Sequence, residues 1–147
     1  MSQDGIGLDL DTSLGYLLKQ AHSALRAAMD GALRPLAMTV PQYACLELLA
    51  QRPGLSGSDL ARGAFVSRQS MNVLLQALER DGLVSRPEQA TAGRTLPVEL
   101  TPAGRERLKA ASAAARSVEE KMRQGLESND QTQLRRLLTA CSEALTE

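Results

Sequence analysis

The chain has no tryptophan, one phenylalanine, two tyrosines and a single histidine. So few aromatic and β-branched residues leave little material for an extensive sheet. One His and two separated Cys, with no Ser–His–Asp set, give no constellation for nucleophilic or metal-assisted catalysis. The expectation is therefore no enzyme, no metal and no cofactor. Cys45 and Cys141 show no CxxC and no metal-ligand spacing, and they read as two buried small hydrophobes. Without a disulfide framework the chain suits a reducing cytoplasm. The first thirty residues lack a basic start followed by an apolar run, so no signal peptide is visible. No stretch approaches the roughly 18 apolar residues of a membrane span. Net charge is also missing, since 17 basic residues balance 17 acidic ones. Any affinity for nucleic acid must then come from local pattern.

What the chain does have is leucine and alanine, strong helix formers, within a 43% apolar composition over 147 residues. That length fits one domain with a core of its own, 1–147. Residues 1–9 are polar and Gly-rich and read as frayed. From Asp11 a helical period runs through Leu14, Leu17, Ala21, Leu25 and Ala28, with Pro35 near its end. Thr39 and Gln42 form a capping box for a second helix, with Pro41 in its first turn and Tyr43, Leu46, Leu49 and Ala50 as its apolar stripe. Two short helices follow. Ser56 with Asp59 opens the first and Gly63 closes it. Ser67 caps the second, Met71, Leu74, Leu75 and Leu78 face inward, and Gly82 ends it.

At Leu83 the pattern changes. LVSRP and LPVELT read as strands around the polar turn EQATAGRT, giving a β-hairpin. Thr101-Pro102 begins a long helix carrying Leu108, Ala111, Ala115, Val118 and Met122. After Ser128-Asn129-Asp130 a last helix carries Leu134, Leu137, Leu138, Cys141 and Leu145. The fold class is mainly α with a small β-hairpin wing (α+β): a winged helix-turn-helix with N- and C-terminal dimerisation helices. Residues 11–36 and 103–146 are expected to dimerise, and 39–101 to form the winged lobe.

Two short helices joined by a tight turn at Gly63–Val66 match a helix-turn-helix, whose second helix enters the major groove of DNA. Ser67, Arg68, Gln69, Ser70 and Asn72 stand at the N-terminal end of that helix. Arg can bond guanine through two donors, and Gln or Asn can bond adenine. The helix N-terminus offers free N–H groups to a phosphate. Arg94, beside Gly93 near the hairpin tip, can reach the electronegative minor groove. From Arg62 to Arg94 five arginines face three acids, a local excess of +2. The flanking apolar helices suit a homodimer that would set two recognition helices about 34 Å apart on a palindromic double-stranded DNA site.

These stretches resemble the MarR family of bacterial winged helix-turn-helix regulators, from about Leu14 to Leu145. Leu78-Glu79-Arg80-Asp81-Gly82-Leu83-Val84-Ser85-Arg86 is similar to the family's LE-x-x-GLV-x-R. Val98-Glu99-Leu100-Thr101-Pro102-Ala103-Gly104 is similar to its V-x-LT-x-x-G. The resemblance implies a dimer joined by the terminal helices, binding palindromic promoters, usually as a repressor, and often released by a small aromatic acid or an oxidant. It implies that Ser67, Arg68, Gln69, Ser70 and Asn72 fall on recognition-helix contacts and Arg94 on the wing-tip arginine. Where the family commonly has an acid two residues before that arginine, this chain has Ala92. The family's ligand site, where the first helix meets the lobe, would draw on Tyr16, His22, Arg26, Met38 and Tyr43. The peroxide-sensing branch carries a reactive Cys in the first helix, and 11–35 contains none. A thiol-based redox-responsive regulator, and a winged-helix protein-interaction module without DNA binding, are the competing readings.

Overall fold

Helix starts in the computed structural model, which describes residues 7–86 and 97–146, fall where small polar side chains take up free amides. Helix α1 (Leu14–Leu33) is capped by Ser13, whose hydroxyl accepts from the Tyr16 amide at 3.3 Å. The expected span of 11–36 is therefore shorter as α-helix. Its end tightens into a 3-10 turn, Arg34–Leu36, with Pro35 in the first positions and Ala37 left-handed at φ 53°. Helix α2 (Val40–Gln51) carries the predicted capping box. Gln42 N donates to Thr39 Oγ1 at 3.2 Å, and Thr39 N donates to Gln42 Oε1 at 3.0 Å. Helix α3 (Gly57–Gly63) has the matching Ser56/Asp59 box. Helix α4 (Arg68–Arg80) is capped by Ser67, which accepts from Ser70 N at 3.0 Å.

Strands β1 (Val84–Ser85) and β2 (Glu99–Leu100) pair antiparallel, with Val84 opposite Leu100 and Ser85 opposite Glu99. They are shorter than the expected five- and six-residue runs. The Leu83 amide is taken by the Leu78 carbonyl, which closes α4, and Pro97 has no amide to donate. The hairpin turn, Arg94 included, and residues 1–6 lie outside the described residues. Helix α5 (Pro102–Met122) and helix α6 (Ser128–Leu145) follow. Ser128, Asn129 and Asp130 form the first turn of α6 rather than preceding it. Its capping box is Glu127 with Asp130.

The core lies where α2 meets α3, α4, α5 and the second strand, and includes Leu46, Leu60, Met71, Leu75, Val98 and Leu108. Helix α1 packs along α5 at one side. Ala50, expected in the stripe of α2, is exposed, and Cys45 takes an inward position instead. Most of α2 is enclosed between its neighbours, so a one-sided stripe does not describe it. Cys45 is fully buried, but Cys141 is exposed on α6, contrary to the reading of both as core.

The remaining exposure is systematic. Leu14, Leu17 and Leu18 of α1, and Leu134, Leu137 and Leu138 of α6, stand in solvent in the single chain. Helix α6 makes no substantial contact with any other described element. No helix of the described residues is long and apolar enough to cross a membrane.

Candidate nucleic-acid interface

The pair α3–α4 is built as one rigid corner. Gly63 ends α3 so close to α2 that an added Cβ would lie 3.0 Å from Leu48 Cδ1. Ala64 N bonds to Leu60 O at 2.9 Å and Val66 N to Ala61 O at 3.0 Å, which fixes the turn. Phe65, between them, has φ 59°, a left-handed conformation that glycine or asparagine adopts more easily. From Ser67 the chain enters α4, whose Met71, Leu75 and Leu78 are buried; Leu74, also expected inward, is only half-buried. The opposite surface is thereby forced outward.

All five residues singled out on this helix, Ser67, Arg68, Gln69, Ser70 and Asn72, are exposed and stand together in its first turn and a half. That turn contains no acid. Ser67 and Ser70 are engaged with each other, the two hydroxyls 2.9 Å apart. Arg68, Gln69 and Asn72 rim an open concavity of about 450 Å³, with Arg86 on the wing side and Met71, Leu75 and Val98 beneath. Arg86 was not among the expected site residues, although it stands in the LE-x-x-GLV-x-R stretch. Its guanidinium meets Glu79 Oε1 from both Nε and Nη2, at 2.7 Å each. The pair ties the end of α4 to the root of the hairpin.

The five residues named for an effector do not converge on one another in a comparable way. Tyr16, His22 and Arg26 are exposed along α1, and Arg26 pairs with Asp30 at 3.5 Å. Met38 lies in the core. Tyr43 belongs to a polar cluster between α2 and α5. There Ser112 Oγ donates to Glu47 Oε2 and Gln51 Nε2 donates to Glu47 Oε1, both at 2.7 Å. Burial, reinforced by the Glu47 carboxylate, pushes the Tyr43 phenol up to about 12. Burial alone would raise Glu47, but hydrogen bonds from Ser112, Gln51 and Tyr43, with the charge of Arg116, hold its carboxyl below the usual value. Tyr43 and Glu47 also border a shallow concavity of about 250 Å³ with Leu48 and Arg52. Burial pushes the Cys45 thiol up to about 12, so it carries no thiolate at neutral pH.

Comparison with known proteins agrees with this arrangement. A sequence profile described as MarR family matches residues 38–95. The chain is 41% identical over 133 residues to the HTH-type transcriptional repressor Rv2887 of Mycobacterium tuberculosis, covering 90% of this chain and 96% of that protein. A crystal structure of Rv2887 in complex with DNA is similar at a TM-score of 0.74 and 39% identity, over 89% of this chain and 98% of that one. Another, with salicylic acid, is similar at 0.73 and 40%, over 89% of this chain and 97% of that one. The likeness thus covers nine-tenths of this chain, and the chain belongs to the MarR family of transcriptional regulators.

Proposed function

We propose that this chain is a sequence-specific DNA-binding repressor that grips a palindromic promoter site as a homodimer. The observation that carries the reading is the front of α4. Ser67, Arg68, Gln69, Ser70 and Asn72 are exposed together on a helix whose other side is locked into the core. Arg68 would bond a guanine, Gln69 and Asn72 would bond adenines, and Ser67 and Ser70 would meet phosphate. Arg94 would add a minor-groove contact from the hairpin. The DNA complex of Rv2887 supports this use of the fold.

The whole of 1–147 acts as one domain, with 39–101 as the lobe that meets DNA and 11–36 and 103–146 as the dimerisation helices. The exposed leucines of α1 and α6 supply the apolar surface such a dimer needs. The protein works in the cytoplasm and catalyses no reaction. A small aromatic acid releases it from DNA. The salicylic acid complex of Rv2887 supports this step, and Tyr16, His22, Arg26, Met38 and Tyr43 are the candidate contacts. Selection of bound fragments from random DNA at physiological salt tests the reading. It should recover a palindrome, with affinity that falls steeply as salt rises. Recovery of no preferred duplex would defeat it.

A further inference from the structure

Large apolar side chains stand in solvent in two kinds of place. Most belong to the N-terminal segment, α1, the end of α5, and α6, where a second copy of the chain would cover them. Within the described part of the lobe, 39–101, there are only two. Phe65 is 92% exposed and Val73 is 62% exposed. Both lie at α4, one in the turn that leads into it and one about a turn and a half along it.

Neither residue is a locally favourable choice. Phe65 holds φ 59°, which costs a bulky side chain energy that glycine would not incur. Val73 is β-branched, loses rotamer freedom in a helix, and buries little against its own chain. Two locally unfavourable choices, one entering α4 and one on it, point to a gain outside the chain.

Helical spacing shows what that gain would be. Gln69, Asn72, Val73 and Gln76 recur at three and four, so Val73 shares one face with three carboxamides. Carboxamides match the donor–acceptor edge of adenine in the major groove, and the partner of every adenine presents a 5-methyl group there. An isolated apolar side chain among carboxamides fits that methyl. It does not fit a protein partner, which would need a contiguous apolar patch.

We infer that Val73 and Phe65 read thymine 5-methyl groups, so that each operator half-site carries thymines beside the adenines bonded by Gln69 and Asn72. The inference rests on the repressor reading above. It names a base composition and two specificity residues that this reading does not supply.

The test uses the full-length protein and the palindrome recovered by selection, with each thymine replaced in turn by deoxyuridine, which lacks only the methyl. The parent should lose about three- to fivefold in affinity at each contacted thymine, the value of burying one methyl-sized group. In Val73→Ala that loss should vanish at one set of thymines, and in Phe65→Gly at another. Both variants should melt no lower than the parent, because alanine favours the helix and glycine accepts the left-handed turn. Phe65→Asn, which also tolerates that turn, should repeat the Phe65→Gly result. A scan that is flat for the parent, or losses that persist unchanged in both variants, overturns the inference while the repressor reading stands. If one variant alone keeps the parent's losses, that residue is not a reader. A parent that selects no duplex overturns the repressor reading, and this inference with it.

Discussion

Gly104 sits against the Leu83 carbonyl so closely that a Cβ on it would lie 2.0 Å from that oxygen. The same carbonyl accepts from the Thr101 amide at 3.1 Å, and the Thr101 hydroxyl donates to Gly82 O at 2.6 Å. The first turn of α5 is thus seated directly on the junction between α4 and β1. The obstacle is backbone, which cannot rotate aside as a side chain can. Gly104→Ala should therefore lower unfolding free energy by about 2–3 kcal/mol or more, as overpacking does. Urea denaturation at fixed protomer concentration measures this. A loss under about 0.5 kcal/mol, the ordinary scatter of surface substitutions, would show that the junction can relax.

Arg68 and Arg94 should behave differently when shortened to alanine. Arg68 stands exposed in the first turn of α4, in position for a base edge. Its loss should cost about 1–3 kcal/mol of affinity and relax preference at one base pair. Arg94 is placed by sequence at the hairpin tip, so its loss should weaken binding more evenly across sequences and reduce the salt slope by about one. Competition titrations against scrambled duplexes, repeated over a salt series, separate the two effects. If both variants bind like the parent, the site assignment is wrong.

Leu134 and Leu138 lie four apart on α6, both exposed, on a helix that makes no substantial contact with the other described elements. With α6 as the proposed dimerisation helix, replacing both with glutamate should leave the lobe folded and abolish the dimer, because each would bury a charge at the twofold contact. Sedimentation should then give a protomer of 15.8 kDa, with unchanged helical circular dichroism apart from some loss in α6. Binding to a full palindrome should fall to that of a half-site. A dimer that survives the double substitution places the twofold contact elsewhere.

Much of this was legible in the sequence because caps and stops are local signals. Thr39/Gln42, Ser56/Asp59 and Ser67 each announced a helix start, and the structure has them there. The first turn of α4 was equally legible, since its inward positions and its first-turn polar positions separate cleanly. Other features depend on tertiary contact and left no local trace. Ala50 occupies a helical-period position but faces solvent, because α2 is enclosed by neighbours that periodicity does not register. Arg86 bears on the site through Glu79, seven residues away across a chain reversal. Phe65 could have been noticed as an aromatic where a turn usually has glycine, but only its φ and its exposure show that it is unpartnered. The exposure of Cys141 follows from α6 standing apart, which no periodicity could show.

Cys45 gives the chain an alkaline limit. Its thiol has no solvent access, and burial pushes it up to about 12 from the 9.0 of a free thiol. Well below pH 9 the thiol is protonated both folded and unfolded, so there it has no effect on the pH dependence. Between the two values the unfolded chain releases this proton and the folded chain keeps it. Unfolding is then favoured as pH rises, with a slope of up to about 1.4 kcal/mol per pH unit from this one group. Tyr43, raised from 10.0 to about 12, adds to the same trend from pH 10 upward. Cys45→Ala should therefore be somewhat less stable than the parent at pH 7, through lost packing, but should lose less stability between pH 9 and pH 10, where the Tyr43 contribution is the smaller and is common to both chains. Chemical denaturation at half-unit pH steps reads the difference in slope directly. The protonated, enclosed thiol should also leave DNA affinity and its response to peroxide unchanged in Cys45→Ala. A peroxide response that disappears with this substitution would mean the thiol is reached through an opening of α2, and would make the chain a redox sensor after all.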